Sequence, residues 1–136
     1  MDHPRLTPRE RRRFDEQLEI VLAELPESIH RLLEEVPLIV EDYPAADVLK
    51  DMEIDDPEEL CGLYSGVPLT EPESRGFRHL PDHILIYRAG ILNSAINDDG
   101  RITKTELRKQ IWITILHEMG HHHGLSEEDL RELGYG

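Results

Sequence analysis

Cysteine is nearly missing from this chain, and the single Cys61 rules out an internal disulfide among the 136 residues. One thiol without a partner fits a reducing compartment, and Cys61 reads as a small buried hydrophobe rather than a reactive group. Long apolar runs are also missing, so no membrane span is expected. Basic residues near the N-terminus are not followed by an apolar segment, so no secretory leader is expected and the cytoplasm is the default location. Positive charge is scarce: 15 Lys and Arg stand against 29 Asp and Glu, for a formal charge of −14. Nucleic acid and anionic membranes both need positive patches, so neither is expected as a partner. A basic or extended peptide or protein substrate is compatible with that balance. There are no repeats, no low-complexity tract and no linker, which makes residues 1–136 one expected domain.

The order of elements follows from local pattern. Thr7-Pro8-Arg9-Glu10 reads as a capping box with proline in the first helical position. Phe14, Leu18, Val21, Leu22 and Leu25 follow at helical spacing, predicting a helix over about 8–25. Arg11-Arg12-Arg13 within it reads as a solvated face, because acids surround it. After Pro26, the residues Ile29, Leu32 and Leu33 predict a second short helix, with His30 on the surface or in the core. Val36 to Val40 reads as a buried strand, and residues 45–60 as short helical turns. Gly62 to Arg78, with three glycines and two prolines, reads as one long loop, either functional or a plain connector. His83 to Arg88 reads as a second strand, at an edge because Pro81 precedes it. Asn97-Asp98-Asp99-Gly100 is a turn and not a calcium loop, since Ala95 would hold the first ligand position. Thr103 is the expected N-cap of a long helix, with Glu106 as its capping-box partner.

That helix runs into His117-Glu118-Met119-Gly120-His121, the pattern H-E-x-x-H. Two histidines four apart share one helical face and can grip one metal ion. Glu118 is turned about a third of a turn away, so it reaches a water on the metal without ligating the metal. Two imidazole ligands, a carboxylate base and a position left for water make the layout of a zinc hydrolase. Three features set the motif apart from a chance match. Ile111, Trp112, Ile113, Ile115 and Leu116 lead into it, so it ends a buried helix. Gly124 stands where that helix would stop. Glu127, Glu128 and Asp129 follow and can supply a third ligand. Ser126 with Asp129 reads as another capping box, opening a short final helix through Leu130 and Leu133.

The run from His117 to Glu127 reads H-E-x-x-H-x-x-G-x-x-E, which resembles the long zinc signature of the metzincins with an acid as third ligand. The stretches "HEMGHHHGLSEEDLRELG", "LPDHILIYR" and "GLYSGVPLTE" resemble the bacterial minimal-zincin family of small zincin-like metallopeptidases. The resemblance covers most of the chain beyond residue 25. It implies a compact α+β fold, with a small mixed sheet packed on helices and the zinc helix near the C-terminus. It also implies His117 and His121 as ligands, Glu118 as base, Gly124 as the turn, and the strand at 83–88 as a holder of substrate backbone. Glu127 occupies the spacing of the third metzincin ligand and is the first choice, with Glu128 second. His122 and His123 point elsewhere around the helix. A departure from larger metzincins is that no methionine-containing turn follows within Gly136.

These readings converge on a zinc-dependent peptidase that binds one Zn²⁺ per chain. Zinc would activate a water, and Glu118 would take its proton. Tyr64 and Tyr87 are candidate oxyanion donors, although buried tyrosines more often serve packing. One alternative is a non-catalytic zinc-binding interaction module, against which the intact Glu118 argues. Another is metal storage or sensing through the triple histidine, which would bind more than one zinc per chain.

Overall fold

The computed structural model describes residues 5–65 and 82–122 together with Glu128 and Arg131, and of His121 and His122 only the backbone. Thr7 opens the first helix, α1 (Pro8–Glu24), as expected. Its hydroxyl accepts from the Glu10 amide at 3.1 Å and Glu10 Oε1 accepts from the Thr7 amide at 2.8 Å. Phe14, Leu18 and Val21 form the buried stripe of α1, which packs on α5 (Lys104–His122). Along its length α5 buries Leu107, Ile111, Ile115, Leu116 and Met119. Each such side chain contributes about 1.5–3 kcal/mol on leaving water. One polar pair crosses the same interface: the buried Gln17 Oε1 accepts from Arg108 Nη1 at 2.7 Å.

A second helix, α2 (Glu27–Glu35), buries Ile29, and then the chain enters β1 (Leu38–Glu41). The short turns expected at 45–60 are α3 (Ala46–Asp51) and a 3₁₀ turn at Pro57–Glu59. The sheet is completed by β2 (Gly62–Ser65) and β3 (His83–Tyr87), in the order β1-β3-β2. β1 runs parallel to β3 and β2 antiparallel to it. The architecture is therefore α+β with a small mixed sheet laid on helices.

Three expectations need correction. β3 is the central strand and not an edge, since Pro81 precedes the strand and leaves the amides of residues 83–87 free to pair on both sides. β1 is an edge and not a buried strand, with alternating exposure and Ile39 40% exposed. Gly62–Ser65, expected within a loop, is a strand, because pairing with β3 supplies what local propensity does not. The rest of that loop, 66–81, lies outside the described residues.

A helix that local pattern did not reveal, α4 (Arg88–Ser94), follows β3 directly, with no side-chain cap at Tyr87. Burial of Ala89, Ile91 and Leu92 holds it in place. Arg88 at its start is a hub. Its guanidinium reaches Asp15 with Nε and Nη2 at 3.0 and 3.1 Å and Asp42 with Nη1 at 3.0 Å, and it lies over the Phe14 ring. Arg11 Nε also binds Asp42, at 2.8 Å, and Arg13 donates to the Ile102 carbonyl. Two of the three adjacent arginines therefore tie α1 to the rest of the fold, and of the three only Arg12 is exposed.

The Tyr87 side chain is fully buried, and its hydroxyl has no hydrogen-bond partner among the described residues. Burial first, then the charges of Glu41 and Asp47, push its phenol up to about 12. The unfolded chain ionises Tyr near its ordinary value of about 10, so the folded state resists an ionisation that the unfolded state accepts. Stability is intact below pH 10 and falls as pH rises toward 12. Tyr87→Phe is expected to move the midpoint of alkaline unfolding upward. At pH 7 it should keep or raise the melting temperature, because an unpaired buried hydroxyl costs about 1–3 kcal/mol. Circular dichroism against temperature and pH tests both points. A marked loss of melting temperature with an unmoved alkaline midpoint would show that the hydroxyl has a partner.

Candidate active site

α5 carries the motif, and its start is set locally. Thr103 Oγ1 accepts from the Glu106 amide at 3.1 Å, while the Glu106 carboxylate accepts from Gln110 Nε2 at 3.0 Å. Only one half of the expected capping box is thus formed. Before it, Asn97 Oδ1 accepts from the amides of Asp99 and Arg101, and Gly100 takes φ +77°, so the residues at 97–100 do form a turn. The helix then continues unbroken to His122. His117 and His121 consequently lie one turn apart, separated by a rise of about 6 Å. Met119 between them is fully buried and anchors this turn in the core, while His117 and Glu118 are half-buried.

β2 lies across α5 at this point. A Cβ on Gly62 would stand 2.8 Å from Thr114 Cγ2, 3.1 Å from the Leu85 carbonyl oxygen and 3.3 Å from Glu118 Cγ. The glycine lets the strand sit directly on the turn from Thr114 to Glu118. Two residues further on, the Tyr64 amide donates to Glu118 Oε1 at 3.0 Å. A backbone N–H to a carboxylate is a charge-assisted bond. The Tyr64 hydroxyl in turn donates to Asp82 Oδ2 at 3.1 Å. Burial, then the Asp82 bond and charge, push the Tyr64 phenol up to about 12, so it stays protonated across neutral pH.

The structure thus brings Glu118, Tyr64 and Gly62 together beside His117, and it adds Asp82. Tyr87 is buried in the core and cannot touch substrate. His30 is exposed. Cys61 is half-buried, packs against the core and has its Sγ 3.2 Å from Ser94 Oγ. Glu127 falls outside the described residues, as do His123, Gly124, Ser126 and Asp129, while Glu128 is exposed. Nothing in the sequence pointed to the partnership of Tyr64 with Glu118, 54 positions apart. The only signal for it was a glycine two residues before an aromatic.

The His117 imidazole is a nitrogen donor of the kind that suits Zn²⁺, and among the described residues no group of three or more His, Cys, Asp or Glu is placed to hold a metal ion. The family model for zincin-like metallopeptidases matches residues 33–136. The chain belongs to the zincin-like metallopeptidase family. No curated protein matches the chain. Among the described residues, no helix is long and apolar enough to cross a membrane.

Proposed function

We propose that the protein is a zinc-dependent peptidase in which His117, His121 and Glu127 hold one zinc ion and Glu118 is the general base. The observation that carries the reading is the position of Glu118, one residue after the first histidine and hydrogen-bonded at 3.0 Å to the backbone of the sheet edge. A purely structural zinc site has no use for a carboxylate fixed in that place. Zinc, when bound, supplies Lewis acidity toward a water and toward the substrate carbonyl.

The chain's own residues do the rest. No strand pairs with the outer side of β2 among the described residues, so an extended substrate can join the sheet there as an added strand. Backbone pairing would hold the peptide with little regard to sequence, and side-chain selection would fall to whatever flanks the edge. Glu118 takes the proton of the attacking water and delivers it to the leaving amine. The high ionisation point of Tyr64 keeps its hydroxyl a donor throughout.

The purified protein is expected to hold one zinc per chain, and His121→Ala is expected to lose it. Glu127→Ala should weaken zinc retention more than Glu128→Ala or Asp129→Ala, read by metal analysis after dialysis against a weak chelator. A broad peptide library, assayed with zinc loaded and with zinc removed, tests the activity. No cleavage in the loaded state would leave the non-catalytic zinc module as the better reading, and equal cleavage in both states would show that the hydrolysis does not use the zinc.

A further inference from the structure

The hydrogen bond that fixes Glu118 uses a group that an incoming strand also needs. In an antiparallel pair, alternate residues turn their backbone N–H and C=O toward the partner and away from it. Tyr87 N donates to the Cys61 carbonyl at 2.8 Å, so Cys61 faces β3, and Tyr64, three residues on, faces the outer edge. Its amide there meets Glu118 Oε1, and among the described residues no strand pairs with that edge of β2. A peptide that joins β2 has to take this N–H with one of its own carbonyls. One donor then faces two acceptors.

We propose that Glu118 is an internal stand-in for substrate: at rest its carboxylate occupies the edge amide of Tyr64, and a substrate carbonyl displaces it, so that seating of the peptide and release of the base are one event. The inference rests on the peptidase reading above and deepens it. An unloaded enzyme keeps its base engaged, and only a correctly registered backbone frees it.

Gly62 is the positioning residue that makes the arrangement reachable. Its missing Cβ lets β2 approach Glu118 closely enough for a direct bond. The neighbours such a Cβ would meet cannot yield easily. Thr114 is 7% exposed, with its hydroxyl donating to the Gln110 carbonyl at 2.8 Å, and the Leu85 carbonyl belongs to the central strand. Asp82 then holds the Tyr64 side chain and with it the far end of β2.

The test uses the zinc-loaded full chain and a peptide that the wild type is found to cut. Glu118→Gln and Glu118→Ala are both expected to cut at least about a hundredfold more slowly, so each binds that peptide long before consuming it. Glutamine still offers a carbonyl to the Tyr64 amide, whereas alanine offers nothing. Glu118→Ala is therefore expected to bind the peptide about three- to tenfold more tightly than Glu118→Gln, the range of one ordinary hydrogen bond. Hydrogen exchange followed by NMR should find the Tyr64 amide protected in wild type, faster in Glu118→Ala, and protected again when peptide is added. Gly62→Ala should also speed that exchange, and should it fail to fold, Glu118→Ala decides alone. Equal peptide affinities for the two Glu118 variants, or a Tyr64 amide whose exchange ignores Glu118→Ala, overturns the proposal while leaving a peptidase in place. A zinc-loaded wild type that cuts no peptide removes the peptidase reading and this inference with it.

Discussion

Glu118→Gln is expected to lower peptide hydrolysis by about 10²–10⁴ while leaving zinc content and melting temperature near wild type. The substitution keeps shape and volume and removes basicity. A glutamine carbonyl oxygen can still accept from the Tyr64 amide that Glu118 Oε1 now engages at 3.0 Å, so the contact between α5 and β2 survives. What is lost is the ability to take a proton from water near neutral pH, because an amide oxygen is not a base in that range. A ligand substitution behaves differently: His117→Ala should lose both metal and activity. The comparison separates the chemistry of the base from retention of the ion. Metal analysis, a melting curve and turnover of one cleaved peptide on the same preparations decide it. Retention of full activity by Glu118→Gln would remove the general-base role, and loss of zinc would make Glu118 a ligand.

Gly90→Ala should cost about 3–5 kcal/mol of stability, more than Gly62→Ala or Gly100→Ala. A Cβ at residue 90 would stand 2.1 Å from the Leu60 carbonyl oxygen, 2.7 Å from its carbon and 3.2 Å from Cys61 Cα. All three are backbone atoms, so no rotamer change relieves the clash. Nor can the segment at 60–61 move away alone. The Cys61 carbonyl accepts from the Tyr87 amide, and β2 begins at the next residue. Displacing it would pull the strand off β3 and off Glu118. Gly100→Ala is the matched control, since residue 100 has φ +77° with nothing within 4 Å of its Cβ. Only the left-handed backbone opposes that change, at about 1–2 kcal/mol. Urea unfolding of the two variants should separate them clearly. A cost for Gly90→Ala no greater than for Gly100→Ala would show that α4 can slide away from residues 60–61.

The helices α1, α2 and α5 were legible because their causes are local. A Thr hydroxyl caps an amide three residues away, and apolar residues recur every three or four positions, so both signals lie within a few turns of chain. The H-E-x-x-H face was legible for the same reason, since one helical turn sets the separation of His117 from His121. α4 was not, because no capping side chain precedes it and it is a helix chiefly where Ala89, Ile91 and Leu92 find a core to enter. Strand order was not legible either. A proline marks where β3 starts, but pairing partners decide whether it is central, and those lie far off in sequence. The roles of Arg11 and Arg88 show the same limit: their carboxylate partners are 31 and, at the farthest, 73 positions away. Sequence alone determined which residues can do metal and proton chemistry, because that depends on side-chain type and helical period. Only the tertiary structure decided what Glu118 touches, because contact between α5 and the edge of the sheet depends on Gly62, a residue with no side chain to announce its purpose.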